Sequence, residues 1–279
     1  MATRASADDV EDKGPAVADP EMEASEHHTQ RHNAFAELMK PKPKPQHSKP
    51  QKKMDSRSAA TTTFGRDGLG VYIAEPESFP ESRVLYYDDK FVVINDLYPK
   101  ASVHLLILPR DGEKNVQRGQ EVFHDAQFLA ECRAIEAKVR KMVAGELRRR
   151  FGKYSALETA RREAQEADEI PDVLPPGRDW ESEVMSGTHA NPSMNHLHIH
   201  VLSKDLHSEC LKKTNHYQSF TTDFFIRMDE YPLAEDDSRR HYRWFPRDMV
   251  CWRCGRNFGN KMTRLKEHLD QEFEEWRKI

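Results

Sequence analysis

Hydrophobic and polar side chains alternate most strictly in His196-Leu197-His198-Ile199-His200-Val201-Leu202. Successive side chains of a β-strand point to opposite faces, so a period of two predicts a strand. Leu197, Ile199 and Val201 would enter a core, leaving three imidazoles in a row on the other face. Upstream, Arg83-Val84-Leu85-Tyr86-Tyr87 reads as a strand, Asp88-Asp89-Lys90 as a turn, and Phe91-Val92-Val93-Ile94 as its hairpin partner. Asp96 to Lys100 form a loop, and Val103 to Leu108 a further strand closed by Pro109. From about 120 to 150, Leu129, Cys132, Ile135, Val139, Met142 and Leu147 recur mostly at steps of three and four. That is the period of an amphipathic helix. Arg148, Arg149 and Arg150 at its end suit the negative helix terminus. Residues 220–226 read as a strand or the start of a helix. No internal repeat is visible. The sum is an α+β fold, an antiparallel sheet with helices against one side.

Two regions break this pattern. Residues 155–182 offer few apolar anchors and contain Pro171, Pro175, Pro176 and Gly177. They read as an insertion, partly helical, looping out before the histidine strand. Residues 1–62 are polar, segregated in charge and punctuated by Lys40-Pro41-Lys42-Pro43-Lys44-Pro45, which predicts a disordered tail. The Lys/Pro tract suits a nuclear-import signal, a nucleic-acid tether or a solubilising tail alike. The expected division is a tail over 1–62, a catalytic domain over 63–238 and a small C-terminal domain over 239–279.

Composition narrows the class. Among 279 residues, 37% are hydrophobic and 32% charged, and no apolar run approaches the ~20 residues that span a bilayer. The N-terminus lacks the apolar stretch of a secretory signal, so an intracellular protein is expected. The net charge of −4 conceals segregation: residues 239–279 hold eleven Lys/Arg against six Asp/Glu. A basic face on a mildly acidic chain suits a polyanionic partner.

Of the four cysteines, Cys132 and Cys210 stand alone, whereas Cys251 and Cys254 form a Cys-x-x-Cys pair. After thirteen intervening residues comes His268, then Glu272. Residues four apart share one helix face, so a tight knuckle and one helix would supply four zinc ligands. A redox pair is the alternative, but no thioredoxin-like βαβ context surrounds it. Leu265, Leu269, Trp276 and Phe258 would give this module a small core, leaving metal to supply much of its folding free energy. Arg243, Arg247, Arg253, Arg256, Lys261, Arg264 and Lys266 would contact phosphates without base specificity.

Imidazole can act as nucleophile, acid, base or metal ligand near neutral pH. Three in a row mark a working surface, with metal binding as a rival use. The motif resembles the His-x-His-x-His-x-x signature of the histidine-triad nucleotide hydrolases and transferases. Asn95 to Ala101 followed by His104-Leu105-Leu106-Ile107-Leu108-Pro109 resembles that family's first nucleotide-binding segment. Pro192-Ser193-Met194-Asn195-His196, Ser203-Lys204-Asp205, Cys210-Leu211-Lys212 through His216, Ser219 and Phe220, and the following finger resemble the aprataxin family over about residues 65–279.

That resemblance implies a histidine-triad fold followed by a zinc finger, and removal of AMP from abortively adenylated 5′ DNA ends. His198 would attack the adenylate phosphorus and carry a transient nucleotidyl group. His196 and His200 would orient it and bind phosphate oxygens, and His189 would assist the leaving group. Asp96 would hold the ribose hydroxyls, Lys100 would balance phosphate charge, and His104 and Ser193 would support nucleotide or phosphate binding. Lys204, Lys212, Arg253 and Lys261 are the expected DNA contacts. Zinc would be structural, held by Cys251, Cys254, His268 and Glu272, with no metal needed for catalysis: no P-loop glycine motif or carboxylate cluster is present. The expected partners are nicked or broken DNA and the product AMP. A monomer is expected, in the nucleus and also in the cytoplasm.

Departures from the family pattern matter. Glu272 stands where a second finger histidine is usual, and the forkhead-associated domain of many animal aprataxins is not seen, so phosphopeptide docking is not expected. Phe64 and Leu69 are candidates for a wedge against the DNA end. Three other readings compete. A hydrolase of small nucleoside phosphoramidates or dinucleoside polyphosphates would have no need of a basic finger. A nucleic-acid adaptor with a vestigial site need not keep the full residue set. A zinc hydrolase would use the triad as ligands.

Overall fold

The computed structural model describes residues 65–241 and 248–279. The expected tail over 1–62, Phe64, Arg243 and Arg247 lie outside the described residues. Helix α1 (Gly70–Ala74) precedes strands β1 (Val84–Tyr87), β2 (Phe91–Asn95) and β3 (His104–Pro109). Helices α2 (Gly119–Val122), α3 (Ala126–Phe151) and α4 (Ala156–Glu166) follow, then β4 (Val184–His189) and β5 (Ile199–Ser203). Helix α5 (Thr214–Thr221), β6 (Phe225–Arg227) and α6 (Met262–Trp276) complete the chain. The strands form one antiparallel sheet in the order β1-β2-β3-β5-β4-β6.

The β1–β2 hairpin forms where turn chemistry and hydrophobic runs agree. Asp88 Oδ1 accepts the backbone N–H groups of Lys90 and Phe91, each at 2.8 Å, closing the turn between the runs. One face of the sheet, carrying Val93, Leu105, Ile107, Ile199 and Val201, packs on α3. The other face is covered too. Val92, Ile94, Leu106 and Leu108 meet Leu69, Tyr72 and Ile73 at α1, and Leu202 meets Tyr217 and Phe220 of α5. The expectation of helices on one side alone is therefore corrected. Burial on both faces is why β2 and β3 read as continuous apolar runs. Leu69 is buried in this contact and is not available as an exposed wedge.

The single helix expected over 120–150 is broken. Residues 123–125 separate α2 from α3, and the Asp125 side chain caps α3 by accepting the Phe128 N–H at 3.0 Å. Leu129, Cys132, Ile135, Val139 and Leu147 are buried as the periodicity predicts, and Met142 is partly buried.

Residues 155–182 are partly helical, but their ends do not loop out. Ser155 caps α4 and also hydrogen-bonds the Ile279 carbonyl oxygen. At the far end, the Arg178 guanidinium lies between the rings of Trp180 and Trp276, 4.3 and 4.6 Å from their centroids. It donates to the Trp276 carbonyl at 2.7 Å and to Glu183 at 2.9 Å, and the Trp276 indole N–H also donates to Glu183. Arg178 and Trp180 are buried, so the ends of this segment belong to the structural core, whereas residues 165–173 between them are exposed as an insertion would be.

Helix α6 is likewise no satellite. Leu265 and Leu269 share a cluster with Leu202, Leu206, Leu211 and Tyr217, and Phe273 and Trp276 enter the main core beside Phe151. The finger helix thus borrows its core from the sheet domain rather than building its own. Trp276 is 1% exposed and touches two segments distant in sequence, at Phe151 and at Arg178 and Trp180. Trp276→Ala is expected to lower the free energy of unfolding by about 3–5 kcal/mol, measured by urea denaturation. A change below about 1 kcal/mol would contradict a shared core.

Candidate active site

The site forms where three neighbouring strands bring histidines to one face of the sheet, opposite the face packed on α3. His104 opens β3, His200 lies in β5 and His189 ends β4. Pairing sets Leu106 against His200 and Gly187 against His200, which draws the three elements together. The rings of His189 and His200 have centroids 4.4 Å apart, and those of His198 and His200 4.9 Å apart. Only His200 of the triad lies within β5; His196 sits on a bend and His198 immediately precedes the strand. The alternation still holds in direction, because Leu197, Ile199 and Val201 all enter the α3-side core.

Hydrogen bonds fix the tautomers one after another. The Lys100 backbone N–H donates to His104 Nδ1 at 3.1 Å, so the His104 proton sits on Nε2. His104 Nε2 lies 2.9 Å from His200 Nδ1 and donates to it. His200 therefore carries its proton on Nε2, which is buried without a partner among the described residues. His198 Nδ1 lies 2.8 Å from the His196 carbonyl oxygen. A carbonyl can only accept, so Nδ1 holds the proton and Nε2 presents a lone pair. The Asp96 carboxylate is 3.5 Å from His104 Nδ1, too far for a good hydrogen bond to an atom already engaged.

Burial keeps these rings neutral. Desolvation pushes His104 down to about 4, and lowers His189, His198 and His200 below the ordinary histidine range. Burial also lowers Lys100, opposed by the Asp96 charge, and the Lys100 ammonium hydrogen-bonds the Tyr98 carbonyl. The His196 ring packs on the start of α1, where a Cβ on Gly70 would come 2.9 Å from ring atom Cε1. Only glycine leaves room for that ring.

A cavity of about 270 Å3 opens beside His198, with His189, His196 and Thr188 also in its wall. Arg66, Gln117 and Arg118 line it as well, and sequence reading missed all three. Nothing in their local pattern marks them, because the fold alone brings 66, 118 and 198 together. Ser193 sits exposed on the turn between Pro192 and Met194. Among the expected DNA contacts, Lys212 and Lys261 are exposed and Lys204 is half-buried. Arg253 is committed to Glu272, donating to its carboxylate at 2.6 Å.

The zinc-site residues converge as expected. Cys251 and Cys254 lie on a knuckle whose turn needs Gly255 at φ +74° and closes through the Gly255 N–H to the Cys251 carbonyl at 3.0 Å. His268 and Glu272 face them from α6: His268 Nε2 is 3.1 Å from Cys254 Sγ and 3.2 Å from Glu272 Oε1. All four donor atoms lie within 4.8 Å of one another. Two thiols, an imidazole and a carboxylate at that spacing fit a tetrahedral zinc ion with bonds of about 2.0–2.3 Å.

Comparison with known proteins agrees with this geometry. Residues 79–207 match the model of the HIT domain, and residues 221–275 match that of the C2HE / C2H2 / C2HC zinc-binding finger. The chain is 35% identical to an aprataxin-like protein of Schizosaccharomyces pombe, covering 76% of this chain and 82% of the relative. It is 36% identical to an aprataxin-like protein of Saccharomyces cerevisiae, covering 75% and 95%. This chain belongs to the aprataxin family. Its fold also matches a crystal structure of the aprataxin orthologue Hnt3 in complex with DNA, with TM-score 0.56 and 30% identity over 76% of this chain and 96% of that one. The aprataxin fold, a histidine-triad domain followed by a zinc-binding finger, is thus the fold of this chain.

Two outcomes follow from the site. A ring whose folded pKa is depressed takes up fewer protons than the unfolded chain, so stability is full above pH 6.5 and falls as pH drops toward 4. Denaturation between pH 7.5 and 4.5 should show that loss, and 15N shifts at pH 7 should report His198 neutral with its proton on Nδ1. A His198 protonated on Nε2 would contradict the assigned tautomer. For the finger, Glu272→Ala should weaken zinc binding by about 10-fold or more, read by competition with a chromogenic chelator. Unchanged affinity would remove Glu272 from the ligand set.

Proposed function

We propose that this chain is a DNA 5′-adenylate hydrolase, removing AMP from abortively adenylated ends and leaving a 5′-phosphate. The observation that carries the reading is the lone pair of His198 Nε2, fixed by the His196 carbonyl on a residue that lines the cavity. A neutral nucleophile with cations near it suits attack on an anionic phosphorus centre.

In the first step, His198 Nε2 forms a bond to the adenylate phosphorus as the bridging P–O bond of the pyrophosphate breaks. The bonding pair leaves on the oxygen of the DNA 5′-phosphate. That group is stable as an anion, so a hydrogen bond from His189 suffices. The negative charge of bound pyrophosphate would raise His189 from its depressed value and strengthen it as a donor. In the second step, water attacks the phosphorus of the histidyl-AMP, the N–P bond breaks with its pair returning to Nε2, and AMP departs. The water's proton passes to solvent. His200 Nε2–H, without a partner among the described residues, would donate to a phosphate oxygen, with His104 holding the His200 ring. Asp96 would hold the ribose hydroxyls, and Lys100 would balance phosphate charge. His196 and Ser193 would complete the phosphate contacts.

DNA as the substrate carrier is supported by the relative solved in complex with DNA, and by exposed Lys212, Arg256, Lys261 and Arg264. In this reading Arg253 neutralises the zinc-binding carboxylate of Glu272 and does not grip DNA as a free cation. Catalysis runs without a metal at the triad. Three lone pairs would be needed for a His189–His198–His200 metal site, whereas His200 Nε2 carries a proton while Nδ1 accepts from His104. The chain would act as a monomer in nuclear DNA repair.

The decisive experiment incubates the chain with 5′-adenylated nicked DNA and follows AMP release. The parent should turn over, and His198→Ala should lose activity by about 10³-fold or more. Equal activity in both would remove His198 from its role.

A further inference from the structure

The cavity beside His198 has an unusual charge balance. It is lined by two arginines, Arg66 and Arg118, and by no acidic residue among the described residues. Neither side chain has a hydrogen-bond or ion-pair partner among the described residues, whereas Arg148, Arg149, Arg150, Arg178 and Arg239 are all paired with acids. The backbone of each is nevertheless pinned. The Arg66 carbonyl accepts the Asn195 N–H at 2.9 Å, and the Arg118 carbonyl accepts from Glu121 and Val122 at 3.0 and 2.9 Å. Asp67, the nearest acid in sequence to Arg66, is engaged by the Asn195 side chain at 2.6 Å.

Position tells which part of a ligand these groups meet. Asp96, Lys100 and His104 do not line this cavity, but His189 and His198 do. His189 Nε2 is buried without a partner among the described residues. A volume of about 270 Å3 suits a phosphate and its attached sugar rather than a whole dinucleotide. Guanidinium groups without acid partners are suited to forked hydrogen bonding of phosphate oxygens.

We propose that Arg118, assisted by Arg66, is a specificity-determining residue that binds the departing 5′-phosphate of the strand end. This rests on the deadenylase reading above and goes further, naming the leaving-group subsite. Arg118 makes the chain favour leaving groups that carry a phosphate over neutral ones of the same size. It holds the 5′-phosphate where the bridging oxygen points away from His198 Nε2, as in-line displacement requires.

The test compares the parent, Arg118→Ala and Arg118→Lys in two measurements. In the first, kcat and KM are obtained for 5′-adenylated nicked DNA and for adenosine 5′-phosphoramidate, whose leaving group has no phosphate. Arg118→Ala should raise KM for the DNA substrate by about 10-fold with kcat within about twofold. Hydrolysis of the phosphoramidate should not change. Arg118→Lys should recover part of the loss, as a point charge in place of a fork. Equal loss on both substrates, or none on either, would overturn the proposal. In the second, binding of nicked DNA ending in a 5′-phosphate or a 5′-hydroxyl is measured by fluorescence anisotropy. The parent should prefer the phosphate, and Arg118→Ala should lose that preference. A preference that survives in Arg118→Ala assigns the phosphate to other groups and sinks the proposal. Failure of the parent to release AMP would overturn the deadenylase reading instead, while the phosphate preference would still decide the role of Arg118.

Discussion

The hydrogen bond from His198 Nδ1 to the His196 carbonyl is the constraint on which the site turns. An imidazole can present either nitrogen, and its partner decides which one is free. A carboxylate partner would fix the same tautomer but would also attract a second proton to the ring. A backbone carbonyl fixes the tautomer without that charge. The carbonyl is itself held by its chain: the Asn195 N–H bonds Arg66 and the Leu197 N–H bonds Asn115, at 2.9 and 2.6 Å. Orientation of the His198 ring therefore depends on backbone geometry, not on another titrating group.

Around this bond the protein separates neutral chemistry from charge. The imidazoles of His104, His198 and His200 are buried, which favours their neutral forms. The cations sit further out: Lys100 is half-buried, and Arg66 and Arg118 are exposed. Water can solvate those charges until an anion displaces it, so the cost of holding them is small. Moving a guanidinium inward beside His198 would incur a desolvation penalty and would further depress the ring. Cations at the rim with neutral rings inside keep the lone pair available and leave charge where a phosphate first arrives.

How much of this was legible in sequence depended on whether local pattern and tertiary environment agreed. The histidine motif, the β1–β2 hairpin and the buried stripe of α3 carry their own periodicity, and the structure keeps all three. The zinc donors were legible because their spacing is fixed by a knuckle and one helix turn. β4 was not. Val-Met-Ser-Gly-Thr-His over 184–189 has one branched aliphatic residue, and it becomes a strand only because β5 and β6 flank it. Gly187 marks that close approach, since a Cβ there would meet the Ile226 carbonyl oxygen at 2.3 Å. Residues 155–182 misled for the opposite reason. Their anchors, Arg178 and Trp180, are few and flanked by prolines, and they find partners almost a hundred residues away at Trp276. Arg118 had no periodic or motif signature at all.

The placement of α6 changes how the finger can be understood. A free-standing finger owes its fold to its metal and moves on a tether. Here Leu265, Leu269, Phe273 and Trp276 fill the same cores that support the sheet. His207 adds a contact beside the triad strand, stacked on Phe273 at 4.0 Å between centroids and 3.1 Å from Asp270. Zinc then organises the knuckle, while the orientation of the helix is set by apolar burial. The basic residues of the finger are held at a fixed distance from His198, so under the proposed function a duplex gripped by them would be presented to His198 in one pose. It also follows that truncating residues 239–279 would open the catalytic core and would abolish activity for reasons unrelated to DNA. The contribution of the finger to substrate binding is separable only by neutralising exposed cations such as Arg256 and Lys261, which leave the buried face of α6 intact.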